Sequence, residues 1–186
     1  LAAVTIPDSV TTIGDWTFYD CSSLAVVTIP DSVTEIGGFA FDGCSSLAAV
    51  TIPDSVTTIE VRAFGRCSSL TTFKIPDSVT VISGYAFADC SSLAAVTIPN
   101  SVTYIGGNAF GQCSSLTTVT IPISAMTIDR FAFSGCNKLA TVLIPSSVTV
   151  CVKTFDVRYT KVVRLSNVAY RWLRLKFRVR VIGRLS

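Results

Sequence analysis

Hydrophobic and polar positions follow a pattern that returns every 23 residues along most of the chain. One complete unit, residues 24–46, reads LAVVTIPDSVTEIGGFAFDGCSS. A leucine column, an Ile-Pro column, a phenylalanine column and a cysteine column all keep this frame. The cysteines are Cys21, Cys44, Cys67, Cys90, Cys113 and Cys136, and the phenylalanines are Phe18, Phe41, Phe64, Phe87, Phe110 and Phe133. A fixed period of this length is typical of a solenoid built from stacked turns, here called rungs.

Each unit predicts two short strands joined by turns. Val27 and Ile29 favour a strand, and Pro30 ends it because proline has no N–H to donate. A second extended segment is predicted over 33–36, followed by a one-turn helical or 3₁₀ corner that ends near Cys44. One rung cannot bury its own apolar side chains, but stacked rungs can. The expected inward set is Leu24, Val27, Ile29, Val33, Ile36, Ala40, Phe41 and Cys44.

The chain divides into a repeat body and a basic tail. About seven rungs occupy residues 1–155, and the last is degenerate because Phe155 arrives one residue early. The body carries six Lys or Arg and eleven Asp or Glu, a net charge of −5. Residues 156–186 carry nine Lys or Arg and one Asp, a net charge of +8, and are predicted to be a C-terminal cap. A weak eighth strand is predicted over 162–165.

The unit IPDSVTxIGxxAFxxCSSL resembles the BspA-like leucine-rich repeat family. The resemblance covers residues 1 to about 155. It implies a β-rich leucine-rich-repeat solenoid with parallel strands. It also implies an adhesion or protein-interaction module of bacterial or protist surfaces or of algal proteins, without an active site common to the family. A cell-surface or secreted location is suspected on this ground, and association with a membrane complex is the alternative.

Composition points away from catalysis. The chain has no histidine, which removes Ser-His-Asp and Cys-His catalysis and every histidine-ligated metal site. The Gly37-Gly38 and Gly106-Gly107 pairs lack the ending of a phosphate-binding loop. We therefore predict no enzyme, no cofactor and no metal. The mean hydropathy is +0.58, yet no apolar run is long enough to predict a membrane span.

Two periodic columns of reactive side chains have structural explanations. The cysteines lack the spacing of a zinc site, and their parallel stacking disfavours disulfides, so we predict reduced thiols buried in the core. Asp8, Asp31, Asp54 and Asp77 form an acidic column beside the prolines. Calcium requires ligands that converge on one centre, whereas a column is linear. We therefore predict solvated turn residues there.

Two other columns are candidate protein-binding surfaces. The outward face of the first strand presents the column Thr28, Thr51, Lys74, Thr97 and Thr120. A second column precedes the Ala-Phe pair and contains Trp16, Phe39, Tyr85 and Phe131, together with Arg62 and Asn108. Exposed aromatic side chains are typical of protein interfaces. The alternative is that these side chains fold over neighbouring corners and are only partly exposed.

The tail is a candidate site for an acidic partner. From Leu173 to Val181, apolar residues alternate strictly with cationic residues, which predicts a strand with one apolar face and one charged face. The cationic candidates are Arg171, Arg174, Lys176, Arg178 and Arg180. The apolar face suits a cap on the last rung. Clustered positive charge attracts any polyanion and so does not by itself indicate nucleic acid. Nucleic acid is therefore the less favoured partner.

Three functions follow from these features. The favoured one is a non-enzymatic protein-interaction or adhesion module. The second is a structural accessory subunit of a larger complex, anchored by the basic tail. A distant third is a flat threonine-bearing face that binds ice or another ordered surface, although Lys74 and Leu143 interrupt the column.

Charge reversal in the tail tests the anchor hypothesis. Changing Arg174, Lys176, Arg178 and Arg180 to glutamate should leave the melting temperature nearly unchanged, because the predicted cationic face points outward. Capture of the partner from a native extract should weaken, and wild-type capture should fall with added salt. A variant that melts normally and keeps every partner would show that the tail serves only as a cap and that the anchor hypothesis is wrong.

Overall fold

A computed structural model describes residues 2–156 and 158–166. These residues form a parallel β-solenoid of about seven rungs, as the period predicted, and no helix is present among them. The candidate cationic residues of the tail lie outside the described residues. We number rungs from residue 1, so that rung 3 spans residues 47–69 and rung 4 spans residues 70–92.

Fourteen short strands make up the solenoid in the described residues. In chain order they are β1 (Ala3–Thr5), β2 (Thr12–Ile13), β3 (Val26–Thr28), β4 (Glu35–Ile36), β5 (Thr58–Ile59), β6 (Thr72–Lys74), β7 (Val81–Ile82), β8 (Ala95–Thr97), β9 (Tyr104–Ile105), β10 (Thr118–Thr120), β11 (Thr127–Ile128), β12 (Thr141–Pro145), β13 (Thr149–Val150) and β14 (Lys161–Leu165). Every pairing between them is parallel. The strand predicted over 162–165 is therefore present as β14, paired with β12.

The strands line two sides of the rod. The first side carries β1–β3, β6–β8–β10 and β12–β14, and its outward surface is called the first sheet face. The second side carries β2–β4–β5 and β7–β9–β11–β13. Rung 3 has no strand on the first side, where Thr51 makes only an isolated bridge to Thr28.

The core consists of the inward columns that the period predicted. All eight inward residues of the unit 24–46 are buried, and most have no exposed surface. The phenylalanine column stacks along the rod, with ring centroids 5.1 Å apart between Phe18 and Phe41 and 5.2 Å apart between Phe41 and Phe64. Phe155 continues the stack at 5.2 Å from Phe133, although the seventh rung is one residue short.

Hydroxyl groups connect the rungs where strands do not. Ser32 Oγ donates to the Val10 carbonyl at 2.7 Å, and Ser55 Oγ donates to the Val33 carbonyl at 2.7 Å. Thr34 Oγ1 donates in the same direction to the Thr11 carbonyl at 3.3 Å. These bonds satisfy backbone carbonyls in the turn after the proline. They explain the recurrent Ser-Val-Thr sequence of the repeat.

The corners differ from the sequence prediction. A one-turn helical or 3₁₀ corner was expected, whereas the described corners are turns. Each corner of rungs 1–6 has two residues in the left-handed region of backbone conformation, at positions equivalent to Phe39 and Gly43. The hydrogen bonds explain the difference, because corner amides bond to the next rung as well as locally. Phe39 N–H donates to the Val61 carbonyl at 2.9 Å, and Phe41 N–H donates to the Ala63 carbonyl at 2.8 Å.

Truncation of Phe87 tests the stacking that holds the rungs together. Phe87 has no exposed surface and lies 5.3 Å from Phe110, so Phe87→Ala should cost about 3–5 kcal/mol of unfolding free energy. Phe131 is the matched control, because it is 37% exposed and its truncation should cost about 1 kcal/mol or less. Equilibrium denaturation measures both. Equal losses for the two variants would contradict the assignment of Phe87 to the core.

Candidate functional site

The threonine column on the first sheet face is exposed but discontinuous. Thr28, Thr51, Lys74, Thr97 and Thr120 are all exposed, as the alternation within each strand predicted. The backbone beneath them is continuous only through β6, β8 and β10. The ε-amino group of Lys74 lies 3.8 Å from a carboxylate oxygen of Asp54. This face is small and nearly uncharged apart from that pair.

The aromatic column forms a stacked row at the corners. The rings of Trp16 and Phe39 lie parallel at 4.0 Å between centroids. The Arg62 guanidinium lies between Phe39 and Tyr85, at 5.9 Å and 5.7 Å from their ring centroids. We call Trp16, Phe39, Arg62 and Tyr85 the aromatic ridge. Cation–π contacts at this distance stabilise an exposed arrangement by about 0.5–1 kcal/mol.

The ridge is stacked and at the same time partly exposed. Trp16 is 51% exposed and Tyr85 is 43% exposed, while Phe39 is half-buried between its neighbours. Asn108 interrupts the column. Beyond it, Phe131 is 37% exposed and carries the Lys153 ammonium 5.9 Å from its ring centroid.

Every residue of the ridge has a positive φ angle. The values are 60° for Trp16, 58° for Phe39, 55° for Arg62 and 59° for Tyr85. A bulky side chain in this conformation costs roughly 1–2 kcal/mol, because Cβ crowds the following carbonyl oxygen. Asn108, at the equivalent position with φ 54°, is the residue type that tolerates the conformation best after glycine. The corner therefore does not require aromatic residues.

An ion-pair cluster beside the ridge was not predicted from the sequence. Asp42 is 2% exposed and accepts hydrogen bonds from Arg66 Nε, at 3.1 Å and 3.3 Å to its two oxygens, and from Nη2 at 2.8 Å. Arg66 also lies 3.0 Å from Asp20 and 5.4 Å from the Tyr19 ring centroid. The sequence signal was Arg66 in a column otherwise made of Asp, Gln and Gly. The hydrogen bonds that Arg66 donates to Asp42 raise the pKa of Arg66, so this cation is already paired within the chain.

The cysteine column is held by hydrogen bonds as well as by packing. All seven cysteines are free, and Cys44, Cys67, Cys90, Cys113 and Cys136 are buried. Each of these five thiols donates to the carbonyl of a phenylalanine in the preceding rung, as Cys90 does to Phe64 at 3.1 Å. Cys21 was also predicted to be buried but is half-buried, because no described rung covers it.

Burial makes these thiols poor nucleophiles. Loss of solvation raises the pKa of the Cys44 thiol to about 12 and that of Cys136 to about 12. It also raises the pKa values of Cys90 and Cys113 well above the ordinary thiol value. Because the thiolate is the reactive form, we expect these buried thiols to react slowly with electrophiles near neutral pH.

The acidic column lies at the surface of the solenoid. Asp8, Asp31, Asp54 and Asp77 are exposed turn residues, as expected. Within residues 2–156 and 158–166, no group of three or more possible metal ligands is brought together. In the same residues, no helix could cross a membrane.

Comparison with known sequences identifies the family. A model of the BspA-type leucine-rich repeat region matches residues 1–114 and 80–167, with six copies of the repeat. The chain belongs to the BspA-type leucine-rich repeat family. Families of leucine-rich repeats are typically non-enzymatic binding modules, and BspA-type proteins are generally protein-interaction or surface repeat proteins. A search of curated proteins found no match.

Solved structures of bacterial leucine-rich repeat proteins resemble this BspA-type chain. A T. pallidum leucine-rich repeat protein is 36% identical with a TM-score of 0.81, and the alignment covers 94% of this chain and 82% of that one. A leucine-rich cell surface protein from Faecalibacterium prausnitzii is 31% identical with a TM-score of 0.55, over 89% of this chain and 61% of that one. A Bacteroides ovatus leucine-rich repeat protein is 28% identical with a TM-score of 0.58, over 80% of this chain and 53% of that one.

Alkylation tests the cysteine arrangement in this BspA-type protein. At pH 8, iodoacetamide should label the half-buried Cys21 and Cys151 first, and the five buried thiols should react only after unfolding. The reason is that a pKa near 12 leaves very little thiolate at pH 8, and the fraction grows only as the pH rises towards 12. Peptide mass mapping with and without guanidinium measures the labelling. Rapid labelling of Cys90 in the folded protein would contradict its burial.

Proposed function

We propose that this chain is a non-enzymatic protein-interaction module and that the aromatic ridge is its principal contact surface. The observation that carries the proposal is the exposure of bulky side chains at strained backbone positions. Strain of this kind persists where the surrounding structure enforces it, and it concentrates at functional sites. Asn108 supports the argument, because the same corner forms around a small residue.

The chemistry of the ridge suits a protein partner. Tryptophan, tyrosine and arginine are the residues that most often dominate binding energy at protein interfaces. Stacking between Trp16 and Phe39 holds both rings before a partner arrives, so less side-chain freedom is lost on binding. The neighbouring Tyr19, which is 40% exposed and 4.8 Å from Trp16 between centroids, widens the apolar area.

The other proposals draw less support from the described residues. The accessory-subunit alternative depends on the tail, which lies outside them. Binding of ice or another ordered surface would require a flat threonine array, and the first sheet face is interrupted at rung 3. Nucleophilic catalysis by the periodic cysteines would need an accessible thiolate, whereas five of these thiols are buried and bonded to carbonyls.

Asparagine substitutions on the ridge test the proposal. Trp16→Asn combined with Tyr85→Asn removes the exposed rings but keeps a residue suited to the left-handed conformation, as at Asn108. The melting temperature should therefore stay within a few degrees of wild type. Recovery of specific partners from a native extract, quantified by mass spectrometry, should fall at least about tenfold, as expected for loss of interface anchors.

The matched control changes the first sheet face. Thr97→Ala combined with Thr120→Ala removes two exposed side chains from a regular part of that face. This variant should keep the partners that the ridge variant loses. The opposite result, with partners lost only from the threonine variant, would move the contact surface to the first sheet face.

A further inference from the structure

The corner column that contains the aromatic ridge has one short side chain. Beyond the ridge it continues with Asn108 on rung 5, Phe131 on rung 6 and Lys153 on rung 7, all with a positive φ angle. Asn108 therefore stands between two rings, that of Phe131 and that of Tyr85 on rung 4. We call the space above Asn108, between these two rings, the corner slot.

Each of the two rings has a cation on the face that points away from rung 5. The Arg62 guanidinium of rung 3 lies 5.7 Å from the Tyr85 centroid, and the Lys153 ammonium of rung 7 lies 5.9 Å from the Phe131 centroid. The other face of each ring is thus turned towards rung 5. Exposure agrees, because Tyr85 is 43% exposed and Phe131 is 37% exposed, whereas Phe39, with a neighbour on each face, is half-buried.

The ridge itself shows which group fits a space of this width. Phe39 and Tyr85 also stand two rungs apart, and the Arg62 guanidinium lies between them, at 5.9 Å and 5.7 Å from their centroids. Because rungs repeat at about 4.8 Å, Tyr85 and Phe131 are separated by about the same distance, on the order of 10 Å. A planar cation therefore fits the corner slot as Arg62 fits its own position.

The floor of the corner slot leaves the position of a guanidinium open. Asn108 Oδ1 lies 3.2 Å from the point where a Cβ on Gly111 would stand. At the equivalent point of rung 3, Arg62 Nε lies 3.3 Å from the position of a Cβ on Gly65. The asparagine side chain thus ends where the arginine side chain continues to its guanidinium carbon. Its amide oxygen is also an acceptor for a guanidinium N–H.

The charges beside the corner slot favour a cation. Asp89 is exposed, and its N–H donates to the Gly111 carbonyl at 2.8 Å, which places it beside the corner of rung 5. Its carboxylate lies 3.8 Å from Arg62 Nη2, so it reaches the row of planar groups. Asp129 and Arg130 on rung 6 carry opposite charges and together add no net charge. Ring faces themselves attract cations, whereas face-to-face packing of a third ring is less favourable.

We infer that the corner slot binds an arginine side chain of a protein partner. The guanidinium stacks between Tyr85 and Phe131, and it donates hydrogen bonds to Asn108 Oδ1 and to Asp89. Arginine suits this space better than lysine, because a guanidinium is planar, stacks on ring faces and is more weakly hydrated than an ammonium group. The inference rests on the proposed function, since it names a partner group for the surface to which Tyr85 belongs.

A blocked tripeptide tests the corner slot without a partner. Acetyl-Gly-Arg-Gly-amide, titrated into the full chain and followed by NMR, should shift the amides of residues 108–111 with half-saturation at about 10 mM or below. Acetyl-Gly-Lys-Gly-amide should bind at least about threefold more weakly. Absence of these shifts up to about 50 mM arginine peptide would overturn the inference. Equal binding of the lysine peptide, or tighter binding of acetyl-Gly-Phe-Gly-amide, would overturn the assignment to arginine.

Filling the corner slot from within the chain should block the peptide. The backbone accepts Asn108→Arg, because Arg62 has φ 55° at the equivalent position and Asn108 has φ 54°. This variant should bind the arginine peptide at least about tenfold more weakly. The control Gln112→Arg adds the same charge to the same corner but outside the row, and its effect should stay below about threefold in physiological salt. Unchanged affinity of Asn108→Arg, or equal losses in both variants, would overturn the inference.

The converse variant should create a second slot. Arg62→Asn reproduces the corner slot between Phe39 and Tyr85. The buried Asp42 keeps its hydrogen bonds from Arg66 in this variant. The arginine peptide should now also shift the corner amides of rung 3, with half-saturation within about threefold of that at rung 5. A folded Arg62→Asn protein without these shifts would contradict the claim that two rings and a short residue suffice to bind arginine.

Capture of partners separates this inference from the proposed function. Asn108→Arg leaves Trp16 and Tyr85 in place, and its recovery of partners from a native extract should nevertheless fall at least about tenfold. Partners that are kept by Asn108→Arg but lost from the combined Trp16→Asn and Tyr85→Asn variant would overturn the inference and leave the proposed function standing. Partners kept by the combined variant would count against the proposed function, and the peptide titration would still decide whether the corner slot binds arginine.

Discussion

Inter-rung hydrogen bonding is the interaction on which the rest of the molecule depends. In the turns after the prolines, each rung donates to the rung before it, as Thr34 N–H does to the Thr11 carbonyl at 2.8 Å. At the corners the direction reverses, and Phe18 N–H donates to the Ala40 carbonyl at 2.8 Å. Because neighbouring rungs bond in both directions, their side chains must repeat in register. The phenylalanine stack and the buried thiols follow from that register.

A stacked repeat also explains why small departures matter. A change from valine to phenylalanine disturbs any close-packed core, and here the disturbance falls on the rungs directly above and below, because each residue meets its equivalents there. Phe73 widens the stack between Phe64 and Phe87, and the first sheet is interrupted at the same place. Arg66 similarly reaches back to Asp42 and Asp20 and connects neighbouring rungs on the surface. The features that distinguish one rung from another therefore come from residues such as Phe73 and Arg66, which differ from the residues at the equivalent positions of other rungs.

The likeness to solved leucine-rich repeat proteins of bacteria fits this division between scaffold and surface. The T. pallidum protein shares the fold over 94% of this chain at 36% identity, so the stacking rules are common to both chains. Binding in repeat proteins resides in side chains that the scaffold presents and does not itself require. In this chain the aromatic ridge consists of such side chains, since Asn108 shows that a corner closes without an aromatic residue.

The sequence by itself determined the period, the parallel stacking, the inward columns and the burial of five of the six periodic cysteines. It did so because a 23-residue unit can bury its apolar side only against copies of itself. It also placed Trp16 and Tyr85 outside the core. Only the tertiary structure decided the left-handed corners, the paired state of Arg66 and the absence of a first-side strand from rung 3. These features depend on distances between atoms of neighbouring rungs. A residue pattern gives the order in which the rungs stack, but it does not give those distances.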